Sequence, residues 1–116
     1  MSEVKSQARY LGLSAQKTRL VVDLVRGRNA DEALNLLKFT PKTAARAVYK
    51  VVRTAVADAE ENYGLNRSDL YIKQAYADEG PTRKWRRFGA RGRFKPLLRR
   101  SAHITVIVAE KEGAAS

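Results

Sequence analysis

The apolar positions of the chain follow two different periods, and the change between them divides it. After Ser14, a candidate N-cap, Leu20, Val21, Leu24 and Val25 recur at helical spacing until Gly27, a residue suited to a left-handed stop. This predicts a first helix from Ala15 to Arg26. Asn29 with Glu32 three positions on reads as a capping box, and Ala30, Ala33, Leu34 and Leu37 then share one face of a short second helix. Thr40 and Pro41 read as cap and first turn of a third helix. Its stripe is Ala44, Val48, Val51, Val52, Ala55 and Ala59, ending near Asn62 and Gly64.

Beyond Gly64 the period falls to two. Leu70, Ile72 and Tyr76 alternate with Tyr71, Lys73 and Ala75, and later Ile104, Val106 and Val108 alternate with His103, Thr105 and Ile107. Two strands are predicted, and a weaker alternation from Gln7 to Leu13 predicts a third. The order strand, three helices, two strands predicts an α+β fold, with three helices packed on a small three-stranded antiparallel sheet. At 116 residues the expectation is a single domain spanning 1–116.

Charge changes this picture in one place. The chain carries 23 Lys and Arg against 12 Asp and Glu, a net +11 that favours polyanionic partners. Between the two late strands, residues 79–100 hold nine bases and one acid. They contribute +8, and the remaining 94 residues only +3. A connection of this length inside a compact domain is unusual, and is either functional or disordered. Its composition of charge, three glycines and two prolines fits disorder. Against that, Trp85, Phe88 and Phe94 are interleaved with Arg83, Lys84, Arg86, Arg87, Arg91, Arg93, Lys95, Arg99 and Arg100. Aromatic rings among cations suit stacking on RNA bases, and the excess of arginine over lysine suits forked phosphate contacts. The segment is predicted to be a long extended β-hairpin arm with its tip near Gly89 and Gly92, projecting on the order of 35 Å if each limb has about ten residues.

Other chemistries find little support. The absence of cysteine excludes disulfides and thiolate sites. His103, the sole histidine, is the only obvious acid-base group and has no second catalytic residue at a recognisable spacing, so no enzyme is predicted. Gly89-Ala-Arg-Gly-Arg93 lacks the Lys-Ser or Lys-Thr ending of a phosphate loop. Asp58, Glu60 and Glu61 read as a solvated acidic face, and neither metal nor cofactor is expected. No signal-peptide core and no stretch approaching a membrane span is present, so the expectation is a soluble protein that stays inside the cell. A basic amphipathic membrane helix is disfavoured by the glycines and prolines of the arm. Arg46, Lys50 and Arg53, on the far face of the third helix, either meet phosphates or face water, and the sequence leaves this open. A stand-alone basic architectural protein binding DNA or RNA remains the alternative reading.

Three blocks resemble a known family: Ser14-Ala-Gln-Lys-Thr-Arg-Leu-Val-Val-Asp-Leu-Val-Arg-Gly27, then Asp78-Glu-Gly-Pro81, then Arg99-Arg-Ser-Ala-His-Ile-Thr-Val-Ile-Val108. In this order they are similar to large-subunit ribosomal protein twenty-two. The resemblance implies a structural protein of the cytoplasmic large ribosomal subunit that binds 23S rRNA and supports subunit assembly. Its hairpin tip, here Gly89, Ala90, Arg91, Gly92 and Arg93, would line the peptide exit tunnel. There it would lie near ribosomal protein four and the passing nascent peptide. It further implies that Lys5, Arg9, Lys17 and Arg19 face rRNA alongside the residues of the arm, with His103 beside the arm's base also in reach.

Overall fold

The computed structural model describes residues 3–80, 83–88, 94–99 and 101–111, with the backbone alone described at Tyr10 and within 83–99. Its elements run β1 (Glu3–Leu11), α1 (Ala15–Val25), α2 (Ala30–Lys38), α3 (Thr43–Tyr63), a 3-10 turn (Arg67–Asp69), β2 (Leu70–Glu79), β3 (Arg83–Phe88), β4 (Phe94–Arg99) and β5 (Ala102–Glu110). The fold is α+β, as the change of period predicts. A three-stranded antiparallel sheet has the order β1-β5-β2, and β3 pairs with β4 in a separate two-stranded ribbon. The molecule measures 71 Å along its longest axis and 25 and 18 Å across the others.

Why β5 lies in the centre follows from its side chains. Ala102, Ile104, Val106 and Val108 are fully buried, and Thr105 and Ala109, on the opposite pleat, are buried too. Flanked by β1 and β2, β5 has their side chains on either side as well as the helices over one face. The helices pack on the face that carries Ile104, Val106 and Val108, with α3 against β1 and β5 and α1 against β2. Among the described residues the buried core they enclose consists of valine, alanine, leucine and isoleucine. Ala44, Ala45, Ala55 and Ala59 form much of the buried face of α3, so helix and sheet approach closely.

Several local expectations are corrected. In α1, Val21, Val22 and Val25 are buried with Ala15 and Thr18, whereas Leu20 and Leu24 are 56% and 41% exposed. The run Leu-Val-Val-Asp-Leu-Val offers two overlapping apolar stripes, and packing selects the valine one. At α2 no capping box forms: the Asn29 side chain makes no cap bond, and Glu32 is drawn to Arg28, 2.6 Å away. Thr40 closes α2 instead of opening α3. Its Oγ1 donates to Leu36 O at 2.6 Å, and the third helix begins at Thr43 behind Lys42. Ser14 occupies the N-cap of α1 without a side-chain cap bond, its carbonyl instead accepting from Thr18 Oγ1 at 2.8 Å. The two helix stops hold, with Gly27 at φ +81° and Gly64 at φ +63°.

β2 departs from the predicted alternation at one point. Register slips between Ile72 and Gln74, a β-bulge at Lys73 that exchanges the faces of everything after it. Ala75 and Ala77 therefore enter the core, and Tyr76 turns outward. β1 begins four residues before the predicted alternation. Its inward positions, Val4, Ser6 and Ala8, are too weakly apolar to show a strand pattern, and pairing with β5 defines it.

Candidate nucleic-acid interface

The arm starts where β2 and β5 end their pairing. Gly80 N donates to Ser101 O at 2.9 Å, one step beyond the last sheet pair, Glu79 with Ala102. Space beside Gly80 is tight. A Cβ on it would overlap Ser101 Oγ and come within 3.0 Å of His103 Cε1. His103 is half-buried and faces Asp78 in the sheet register. The sole histidine is thus part of the closely packed arm base.

From this base the ribbon runs in strict register: Arg83 faces Arg99, Lys84 faces Leu98, Trp85 faces Leu97, Arg86 faces Pro96, Arg87 faces Lys95 and Phe88 faces Phe94. Two of these six pairs set cation against cation, an arrangement that costs stability in a free hairpin and is relieved by polyanion contact. Pro96 cannot donate to a ladder and is tolerated because each strand of the ribbon has a free edge. The paired strands Arg83–Phe88 and Phe94–Arg99 match the predicted arm as backbone. The predicted tip, Gly89 to Arg93, and Arg100 lie outside the described residues.

The other predicted contacts divide between two surfaces. Lys5 and Arg9 lie on the pleat of β1 that also carries Glu3 and Gln7, opposite the buried Val4. Gln7 Nε2 donates to Thr105 Oγ1 at 3.1 Å and Arg9 Nη2 to Gln7 Oε1 at 3.3 Å, so a polar network spreads over the sheet face that no helix covers. His103 shares this face. Across it Lys73 Nζ donates to Glu3 Oε1, joining the outer strands, and this hydrogen bond holds the Lys73 ammonium above its ordinary pKa. Lys17 and Arg19 stand on α1 instead. Arg19 Nε donates to Ala77 O at 2.9 Å, fastening the helix to the free edge of β2 while the side chain remains exposed. Lys17 lines a groove of about 450 Å³ together with Leu20, Pro41 and Lys42. Arg19 and His103 thus flank the arm's approach from two sides, whereas Lys5 and Lys17 lie on different surfaces.

Lys38, Phe39 and Lys42 escape the sequence reading. Lys38, Lys42, Arg46 and Tyr49 line a groove of about 340 Å³ between the end of α2 and the start of α3, and Phe39, next to it in sequence, is 80% exposed. The available signal was a gap in the acids: none occurs between Glu32 and Asp58. Among the described residues no group of three His, Asp or Glu is placed to hold a metal, and no helix is long and apolar enough to cross a membrane.

Comparison with known proteins agrees with the resemblance drawn from the three sequence blocks. The sequence model of the family described as ribosomal protein L22p/L17e matches residues 6–109. The chain is 49% identical over 110 residues to the large ribosomal subunit protein uL22 of Thermoanaerobacter sp. (strain X514), covering 95% of this chain and 99% of the relative. The same identity and coverage hold for the large ribosomal subunit protein uL22 of Thermoanaerobacter pseudethanolicus (strain ATCC 33223 / 39E).

Proposed function

The chain belongs to the ribosomal protein L22p/L17e family, and from that premise we propose that it is a structural constituent of the cytoplasmic large ribosomal subunit whose arm binds 23S rRNA. The family is a structural, non-enzymatic component of the ribosome. On this reading the helices and three-stranded sheet form an anchoring body, and the ribbon of β3 and β4 threads into folded rRNA. The tip, Gly89 to Arg93, lines the peptide exit tunnel near ribosomal protein four, and the nascent peptide passes it. The arm's contacts support subunit assembly by joining rRNA segments that the body alone does not span.

The observation that carries the proposal is the ribbon's register. Arg83 opposite Arg99 and Arg87 opposite Lys95, in a segment of charge +8, make an isolated hairpin unfavourable. Surrounding phosphate turns this repulsion into attraction, and the counterions released drive binding. An arm of this kind is stable where RNA encloses it.

Sedimentation of cell extract tests the assignment. The chain should travel with the large ribosomal subunit and remain with it through a moderate salt wash. Migration as a free monomer throughout would overturn it. Crosslinking from position 91 of assembled subunits to a stalled nascent peptide tests the tunnel placement separately.

A further inference from the structure

Between Glu32 and Asp58 the chain has five bases and no acid: Lys38, Lys42, Arg46, Lys50 and Arg53. Four of them stand at spacings of four, four and three along α3, so they share one side of the helix. At roughly 1.5 Å per residue the row from Lys42 to Arg53 extends about 16 Å, the length of several nucleotides of a strand. All five are exposed.

A row of cations is most often a solvated face, but two observations separate this one from that reading. The first is pairing. Every ion pair among the described residues is made by Arg26, Arg28, Arg67 or Lys73, and none of the five takes part. The second is direction. α3 places Lys42 at its N-cap and Arg46 in its first turns, and it gathers Asp58, Glu60 and Glu61 towards its C-terminal end. This opposes the helix macrodipole at both ends, and the four-residue spacing sets like charges side by side. Selection for stability alone would reverse the arrangement. An anionic partner along the N-terminal half of the helix turns the cost of its cations into a gain.

Three residues before Lys42 stands Phe39, 80% exposed at the end of α2. The adjoining groove is lined by Lys38, Lys42, Arg46 and Tyr49. An open aromatic ring next to a line of unpaired cations has the composition of a platform for unpaired nucleotides, base on ring and phosphates on the bases of the row. Resting on the reading of this chain as an rRNA-binding protein, we infer that α3 and Phe39 form a second RNA surface, separate from the arm, which takes a single-stranded segment of rRNA along Lys42, Arg46, Lys50 and Arg53. Arg46, Lys50 and Arg53 thereby leave the undecided position in which the sequence puts them.

The test uses the full chain and an in vitro transcript of large-subunit rRNA, titrated by filter binding at a series of KCl concentrations. The triple variant Arg46→Gln, Lys50→Gln, Arg53→Gln should keep the parental thermal unfolding, because the three side chains are exposed, and bind with a less steep salt dependence. The slope of log K against log [KCl] should fall by about two to three, since each lost phosphate contact removes roughly 0.7 to 0.9. Phe39→Ala should weaken binding about fivefold or more at every salt concentration with the slope unchanged, and Phe39→Tyr should retain parental affinity. A folded triple variant with the parental slope overturns the inference. The single variant Lys50→Gln, with an expected slope change of about one, decides the matter should the triple variant not fold. Loss of co-sedimentation with subunits alongside an unchanged slope on naked transcript would assign the row to an acidic protein neighbour, and equally overturn it. Absence of parental binding above that to an unrelated RNA of equal length would instead reject the functional reading on which the inference rests.

Discussion

Arg26 grips the carbonyl of Ala75 with two nitrogens, Nε at 3.1 Å and Nη2 at 2.7 Å, and Arg19 holds Ala77 O one pleat further along. Both carbonyls belong to β2, whose outer edge has no strand beside it. At its other end the edge is closed by main chain, with Gly27 N donating to Ile72 O and Ile72 N to Arg28 O, each at 2.9 Å. An open edge is a template for unwanted pairing, and α1 covers this one with guanidinium groups and its own C-terminal turn.

Arg26→Met should therefore lower stability by about 1 kcal/mol. A charged hydrogen bond is worth somewhat more, but with the side chain 47% exposed water replaces part of the loss. Urea unfolding measures it, and Arg26→Lys, which retains charge without the fork, should recover only part. An unchanged midpoint in Arg26→Met would show the contact to be incidental.

At the arm base, Gly80→Ala should destabilise by about 1 kcal/mol, the low end for an added methyl. The Cβ would make Ser101 Oγ rotate away and would lie 3.0 Å from His103 Cε1. Ser101→Gly in the same chain removes the nearest obstacle and should restore part of the loss. Hydrogen exchange at the amide of position 80, which donates to Ser101 O, reports the same opening locally. Equal protection in Gly80→Ala and the parent would refute the steric account.

Deleting residues 83–95 should leave a body that unfolds cooperatively. The core among the described residues draws on β1, β2, β5 and the helices. Circular dichroism through a urea titration should show one transition near the parental midpoint, while affinity for rRNA falls sharply. A broad, non-cooperative transition would mean that the arm is part of the folding unit.

Lys73 supplies a pH test. Its pKa is raised above 10.5 in the folded chain, chiefly by the hydrogen bond to Glu3. A raised folded value means that the contribution is fully present below the unfolded pKa and disappears as pH climbs through the folded one. The parent should thus be more stable than Lys73→Met at pH 9, and the gap should narrow by pH 11.5. A gap of constant size across that range would detach the stability of this pair from its ionisation.

Much of this was legible in the chain because it depends on local period and composition. The stripe Ala44, Val48, Val51, Val52, Ala55 and Ala59 is buried as its spacing predicts, and Gly27 and Gly64 adopt the positive φ that their positions suggest. The arm was legible for the same reason, since +8 in 22 residues interrupts two alternating segments. What failed was any inference needing a partner from elsewhere. Leu20 and Leu24 match the helical pattern of α1 as well as the valines do, and only contact with β2 and α3 chooses between them. Tyr76 was placed inward because alternation cannot foresee a bulge. The capping box at α2 fails for a local reason instead, since Glu32 pairs with Arg28 four positions back.

The sequence by itself determined the class of fold, the two glycine stops and the concentration of positive charge that implies a polyanionic partner. These depend on residues near one another in the chain, where periodicity and charge density act directly. Only the tertiary structure decided which apolar face of α1 is buried, where β2 changes register and that Arg19 and Arg26 close its edge. It also decided that a side chain at position 80 would press on Ser101 and His103, and that the cations of α3 join no ion pair among the described residues. The physical reason is common to all of these: each depends on a contact or an empty space between residues distant in sequence, and neither exists until the core has brought the elements together.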